Sequence, residues 1–156
     1  MYCQQKDTLL SKFQFEEEIN VEQIWKELYQ AAKAVQNPRD ISERIYAGGV
    51  AAAIESASGK IYTGVCVDTS SSLGICAERN AMFNMITNGE NEIRRILAIM
   101  PDGKTGAPCG ACREFIAQLM MGRYHNVEVM LDYEHERIVQ QLSGRRTCDH
   151  GAWKRP

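Results

Sequence analysis

Three of the six cysteines lie at the predicted starts of two helices, and this placement constrains the fold more than any other feature. Cys76 begins a helical segment over 76–87 that stops before Asn88-Gly89, and Cys109 and Cys112 begin another that runs to about Met121. Residues at i and i+3 on a first helical turn face the same way, as two ligands of one metal ion must. If both helix ends met at a single ion, all three sulfurs would be in place.

The number of cysteines at helix starts favours a catalytic zinc. A structural zinc needs four protein ligands, whereas a catalytic zinc leaves one position open for water. Helix N-termini also favour the thiolate, the form that binds metal. Cys66 is predicted in mid-strand and Cys148 in an aperiodic tail, so neither has a second cysteine at ligand spacing. A zinc held by four thiolates, or cysteines that are simply buried, remain the alternatives.

Glu78 follows two residues after Cys76. Positions i and i+2 of a regular helix do not face each other, so Cys76 must act from the cap while Glu78 projects from the first turn. A carboxylate beside the open position can take a proton from water and return it to a leaving group. The alternative role for Glu78 is to complement the helix dipole, which a first-turn Glu commonly does.

The rest of the chain predicts an α/β fold. Apolar residues from Val21 to Val35 recur at helical spacing, with Asn20 as N-cap and Asn37-Pro38 as the stop. Alternating strands and helices favour helices packed on a mostly parallel or mixed sheet. The predicted strands are 47–56 and 60–67, which form a hairpin, then 95–100 and 127–131, while 137–142 is a strand or a helical turn.

The length of 156 residues predicts one domain, over 1–143 with a core at about 20–140, followed by a basic tail over 144–156 without periodicity. The sequence contains no apolar run long enough to cross a bilayer, and its first 18 residues lack the apolar segment of a secretory signal. We therefore expect a cytoplasmic protein without membrane contact, whose cysteines are reduced.

The net charge of −2 is unevenly distributed, because the tail is basic and the remainder is acidic. Affinity for nucleic acids comes largely from Lys and Arg side chains that neutralise phosphates. An acidic body therefore favours a small-molecule substrate, and we expect no nucleic-acid partner. An enzyme that acted on bases within RNA or DNA would need the tail as its docking surface.

The two motifs, Cys76-Ala77-Glu78-Arg79 and Pro108-Cys109-Gly110-Ala111-Cys112-Arg113, resemble those of the small zinc-dependent cytidine deaminases. This resemblance implies a three-layer αβα sandwich around a five-stranded mixed sheet, one Zn²⁺ per chain and a homotetramer. It also implies hydrolysis of cytidine or deoxycytidine to uridine or deoxyuridine and ammonia, in pyrimidine salvage.

The same resemblance assigns roles to individual residues. It makes Cys76, Cys109 and Cys112 the zinc ligands and Glu78 the catalytic proton carrier. Arg79 would hydrogen-bond the ligand sulfurs and offset their charge, whereas Arg113 is better explained as half of a surface ion pair. The backbone at Ala77 would contact the base.

The sugar site departs from the family pattern. Where relatives carry Asn-x-Glu to hold the ribose, this chain has Cys66-Val67-Asp68, and a thiol is a poor substitute for an amide. Asp68 can still accept a hydrogen bond from a sugar hydroxyl. Gly48-Gly49 lies where an aromatic residue is expected, so the residue that stacks on the base is unassigned. Two alternatives follow: a deaminase of a modified nucleoside such as blasticidin S, or a non-catalytic zinc- or nucleoside-binding protein.

Overall fold

A computed structural model describes residues 23–139. Helix α1 covers 23–35 of the described residues and ends where predicted, two residues before Asn37-Pro38; Asn20 and Val21 lie outside them. The other elements are β1 (Arg39–Ser42), β2 (Ile45–Ser56), β3 (Ile61–Thr69), α2 (Ala77–Thr87), β4 (Ile93–Ile99), α3 (Gly110–Leu119), a 3-10 turn (Tyr124–Asn126), β5 (Glu128–Asp132) and β6 (Arg137–Val139).

The described residues form three layers, as expected. Because successive strand residues point to opposite faces, β2 buries Ala51 and Ala53 on one face and Ala52 and Ile54 on the other. The first face packs against Trp25, Leu28 and Ala32 of α1. The second packs against α2 and α3, including Met82, Met85 and Ile116. Helix α1 therefore covers one side of the sheet, and α2 and α3 cover the other.

The sheet is mixed but has six strands, so the predicted number of five is wrong. The additional strand is β1, a short strand whose four residues are all exposed. It pairs antiparallel with β2 through Arg39↔Ala47 and Asp40↔Tyr46. The β2–β3 hairpin is confirmed, β4 and β5 are parallel, and Arg137–Val139 is a strand.

A bulge in β2 shapes the sheet beside the helix starts. Ala47 pairs with Val67 and Ala51 with Val65, so β2 has two residues more than β3 in this interval. Gly48 has a φ of +83°, and a Cβ there would lie 2.1 Å from the carbonyl oxygen of Asn37. Only glycine fits this position without strain. Gly48 thus permits the bulge, which lies over 48–50.

The tail over 144–156, the domain boundary at 143 and Cys148 lie outside the described residues, so these predictions stay predictions. Within residues 23–139, none of the helices has the length and apolar character needed to cross a membrane.

Candidate metal centre and active site

The starts of α2 and α3 bring the three cysteines together. Cys76 and Cys109 are the N-cap residues of the two helices, both with extended backbone, and Cys112 lies in the first turn of α3. The backbone of Ile75 pairs with that of Val67, with N···O distances of 2.8 and 2.9 Å. This bridge ties the residue before Cys76 to the end of β3, so that the start of α2 lies beside the strand that carries Cys66.

The sulfur atoms are spaced as one metal ion requires. The Sγ atoms of Cys76, Cys109 and Cys112 all lie within 4.8 Å of one another. Cys109 Sγ is 3.5 Å from Cys76 Sγ and 3.5 Å from Cys112 Sγ. A tetrahedral zinc with Zn–S bonds of about 2.3 Å separates its sulfur ligands by about 3.8 Å. Both the donor atoms and their separations fit one zinc ion per chain.

The thiols differ in how readily they ionise. Burial raises the pKa of Cys76 and of Cys112, and the nearby Glu78 carboxylate raises that of Cys112 further. Burial also opposes ionisation of Cys109. The pKa of this thiol is nevertheless lowered overall, because it accepts hydrogen bonds from the backbone N–H of Cys112, from the neighbouring thiols and from the N–H of Ala111. Helix-start N–H groups therefore favour one thiolate, and a bound cation is the charge that would stabilise all three.

Glu78 is a buried acid on the wall of a cavity. It is the second residue of α2, and only 4% of its surface is exposed. Burial raises the pKa of its carboxyl group, although its own backbone N–H, the Cys112 thiol and Arg79 act in the opposite direction. A carboxyl group whose pKa is raised exchanges its proton more readily near neutral pH, as a general acid and base must. The helix start thus places a buried carboxyl group next to the thiol cluster.

The side chain of Arg79 contacts the thiol cluster, whereas Arg113 lies on the exposed surface of α3. The Nη2 atom of Arg79 donates to Cys76 Sγ at 3.8 Å, and its buried Nε has no hydrogen-bond partner among the described residues. The thiols in turn raise the pKa of the guanidinium, despite its partial burial. Arg113 is exposed on α3. Arg79 therefore supplies the positive charge next to the sulfurs.

A cavity of about 320 Å³ opens beside the cluster. Pockets for small ligands commonly have volumes of about 300 to 1,000 Å³, so the volume of this cavity suits a molecule of nucleoside size. The predicted residues Cys66, Asp68, Ala77, Glu78 and Arg79 all line it. Other lining residues come from the bulge in β2, from the residue after β4, from the loops before the helices and from the caps: Val50, Gly74, Ile75, Cys76, Met100, Ala107 and Cys109.

Cys66 lines this cavity but is not a fourth metal ligand. It lies outside the only group of closely spaced thiols that the described residues contain. Its Sγ accepts a hydrogen bond from the backbone N–H of Val50 at 3.2 Å and donates to Asp68 Oδ2 at 3.7 Å. The thiol therefore occupies the wall between the bulge in β2 and the carboxylate of Asp68.

Sequence reasoning missed Val50 and Met100, two apolar residues of the wall. No local sequence pattern identifies these residues, because their orientation depends on the bulge in β2 and on the end of β4. Among residues 23–139, no aromatic side chain lines the cavity. The ring of Tyr46 packs over Gly49 instead, where an added Cβ would lie 3.1 Å from Tyr46 Cε1.

Comparisons with known proteins agree with this geometry. Residues 24–127 match the family model described as the cytidine and deoxycytidylate deaminase zinc-binding region. A probable cytidine deaminase from Dictyostelium discoideum is 37% identical over 94 residues, which are 58% of this chain and 63% of that protein. A cytidine deaminase from Sporosarcina psychrophila is 34% identical over 98 residues, which are 61% of this chain and 72% of that protein.

Solved structures have the same fold. The crystal structure of cytidine deaminase from Mycobacterium leprae aligns with a TM-score of 0.57 at 24% identity, covering 69% of this chain and 87% of the other. That from Burkholderia pseudomallei aligns with a TM-score of 0.53 at 30% identity, covering 69% and 83%. With the family model matching from α1 to the residue before β5, the chain belongs to the cytidine and deoxycytidylate deaminase family and carries its zinc-binding region.

Proposed function

We propose that this protein is a zinc-dependent hydrolytic deaminase that converts a free cytidine-like nucleoside, cytidine or deoxycytidine, to the uridine product and ammonia. The observation that carries this proposal is the buried carboxyl group of Glu78, on the wall of a nucleoside-sized cavity and beside three converging thiols. A site that only held zinc would not need that carboxyl group. The relatives named cytidine deaminase support the same activity.

In this proposal Cys76, Cys109 and Cys112 hold one zinc ion per chain. Bound zinc would supply a Lewis acid that activates water for attack on the amine-bearing ring carbon. Three thiolates carry more negative charge than a divalent cation neutralises. Arg79, whose guanidinium donates to Cys76 Sγ, offsets part of this excess.

Glu78 moves the protons. Its carboxylate accepts a proton from the attacking water and delivers a proton to the departing amine, so that the carbon–nitrogen bond breaks and ammonia leaves. The raised pKa of this carboxyl group suits both transfers. Burial excludes bulk water from the carboxyl group, which keeps the transferred proton within the site.

The substrate contacts are proposed from the cavity wall. Asp68 offers a carboxylate that can accept a hydrogen bond from a sugar hydroxyl. Cys66 occupies the position beside it, where its thiol is already engaged with Val50 and Asp68. Ala77, at the start of α2, contributes backbone groups to the edge of the base.

We also propose a cytoplasmic homotetramer that acts in pyrimidine salvage. The four cysteines among the described residues are free thiols, as is usual in a reducing compartment. Several large apolar side chains are exposed, including Leu73 at 82% near the cavity and Phe83 and Ile86 on α2 at 41% each. Contact between subunits would bury such side chains. The acidic body supports a small-molecule substrate over a nucleic acid.

A second candidate is the deamination of a modified nucleoside, which Cys66 favours because a thiol replaces the expected amide. The test incubates the zinc-loaded protein with cytidine, deoxycytidine or blasticidin S. Turnover is measured as the loss of absorbance from the amine-bearing ring and as ammonia release. Turnover of cytidine or deoxycytidine supports the main proposal, and turnover of blasticidin S alone supports the second. If the zinc-loaded protein releases ammonia from none of them, a non-catalytic zinc- or nucleoside-binding role is favoured.

A further inference from the structure

Gln36 connects three parts of the fold at one end of the sheet. It directly follows α1, and its backbone N–H bonds to the carbonyl of Ala32 at 3.2 Å, so the base of the side chain is fixed by the helix end. The residue is half-buried. Its position therefore depends on α1, which packs on the face of the sheet opposite α2 and α3.

The side-chain amide of Gln36 uses both its donor and its acceptor. Nε2 donates to the carbonyl of Gly49 at 2.9 Å and to the carbonyl of Met100 at 3.0 Å. Oε1 accepts a hydrogen bond from Lys33 Nζ at 2.8 Å. One amide thus bridges the bulge of β2 and the end of β4.

This bridge lies where regular pairing between the two strands stops. The last pair of the β2–β4 ladder at this end is Ala51↔Ile99. Beyond it, β2 enters the bulge at Gly48, and the chain after β4 turns at Gly103, whose N–H bonds to the Met100 carbonyl at 3.0 Å. The Gln36 amide therefore links the bulge of β2 to the end of β4 where the ladder no longer joins the two strands.

The two segments held by Gln36, the bulge of β2 and the end of β4, carry part of the apolar wall of the cavity. Val50 follows Gly49, and both Val50 and Met100 line the cavity that contains Glu78. The Met100 side chain packs tightly over Gly106, where an added Cβ would lie 2.3 Å from Met100 Cε. A shift of either segment would therefore move a side chain on the wall of this cavity.

We infer that Gln36 is a positioning residue for the substrate cavity: its amide holds Val50 and Met100 in place for nucleoside binding. The inference rests on the proposed function for its substrate, while the bridge itself is independent of the activity. Gln36 is not among the residues that line the cavity and is bonded to neither Glu78 nor the thiols. Its loss should therefore weaken substrate binding more than it slows the chemical step.

The test replaces Gln36 with Met, which keeps the length and removes the amide. The matched control is Gln118→Met on α3, which removes an exposed amide whose Nε2 bonds only to Glu114 Oε1 at 2.8 Å. For Gln36→Met we expect kcat/KM for the preferred nucleoside to fall about tenfold, mainly through KM, while one zinc per chain is retained. The control should match the wild type.

A second readout is the hydrogen exchange of the backbone amides at 48–51, 100 and 102–104, measured on the full chain. We expect faster exchange in both segments in Gln36→Met but not in the control. If Gln36→Met does not fold, Gln36→Glu retains the shape and loses the donors, and the same result is expected. Unchanged exchange at these amides, or unchanged KM in an active enzyme, would overturn the inference. A wild type inert on every nucleoside would instead refute the proposed function, and exchange would still decide the role of Gln36.

Discussion

Replacing Cys66 with Asn introduces the amide of the family pattern into the proposed sugar site. In the wild type, Cys66 Sγ accepts from the Val50 N–H at 3.2 Å and faces Asp68 Oδ2 at 3.7 Å. The carbonyl oxygen of Asn can replace Sγ as the acceptor for Val50. Its amide nitrogen, a far better donor than a thiol, can then reach Asp68 and a sugar hydroxyl.

Two opposing effects decide the result: a recovered hydrogen bond to the substrate and the cost of a larger side chain. One recovered hydrogen bond to the substrate contributes about 0.5 to 1.5 kcal/mol, which corresponds to roughly two- to tenfold in kcat/KM. Overpacking of a closed core costs about 1 to 3 kcal/mol. Cys66 is 7% exposed but borders a cavity of about 320 Å³, so the larger side chain has space on one side. We therefore expect the low end of that cost.

The assay compares the wild type with Cys66→Asn and with Cys66→Ser, a control of nearly unchanged size. We measure kcat/KM for cytidine and deoxycytidine and the free energy of unfolding in urea. The account predicts a two- to tenfold gain in kcat/KM for Cys66→Asn, with the free energy of unfolding lower by about 1 kcal/mol or less. A loss of kcat/KM together with a larger loss of stability would refute this reasoning and favour a cavity shaped for another ligand.

Three further predictions concern separate parts of the molecule. Cys112→Ser should lose both zinc, measured by elemental analysis, and activity; full zinc retention would reject the ligand assignment. Gly48→Ala should lower the free energy of unfolding in urea by about 2 kcal/mol or more, since φ at Gly48 is +83° and the Asn37 carbonyl blocks the added Cβ. A change near zero would contradict the backbone conformation of the bulge. Hydrogen bonds from Ser56, Ser58, Tyr62 and Lys60 lower the pKa of Glu90 to about 2, although burial opposes them. A lowered pKa stabilises the fold above the ordinary Glu value, so the stability advantage of wild type over Glu90→Gln should shrink as pH falls from 5 towards 2; a constant difference would refute this.

Patterns local in sequence predict the helix starts and the metal cluster well. Cys76 and Cys109 were expected at helix starts, and both are N-cap residues. The motif spacing reflects one helical turn, which is a local property. Glu78 was likewise expected beside the cluster, and its burial follows from its position in the first turn of α2. The α/β layers follow from the alternation of strands and helices.

Long-range backbone geometry escapes such patterns. Strand β1 has four exposed residues and no alternation, and it exists because its backbone pairs with Tyr46 and Ala47. The contacts of Gln36 join residues 13 and 64 positions away. The orientation of Val50 depends on a bulge that Gly48 alone does not specify. Residues that shape the cavity from outside the motifs therefore emerged only from the structure.

The proposed proton transfer by Glu78 is tested by Glu78→Gln, because the amide keeps the shape of the side chain but cannot accept and return a proton. Wild type and variant are loaded with zinc under the same conditions, and zinc content, the unfolding transition and ammonia release from cytidine are measured on the same samples. The account predicts about one zinc per chain in both, and turnover lower by about 10²- to 10⁴-fold or more in the variant. Turnover within a few-fold of wild type, at equal zinc content, would contradict the account.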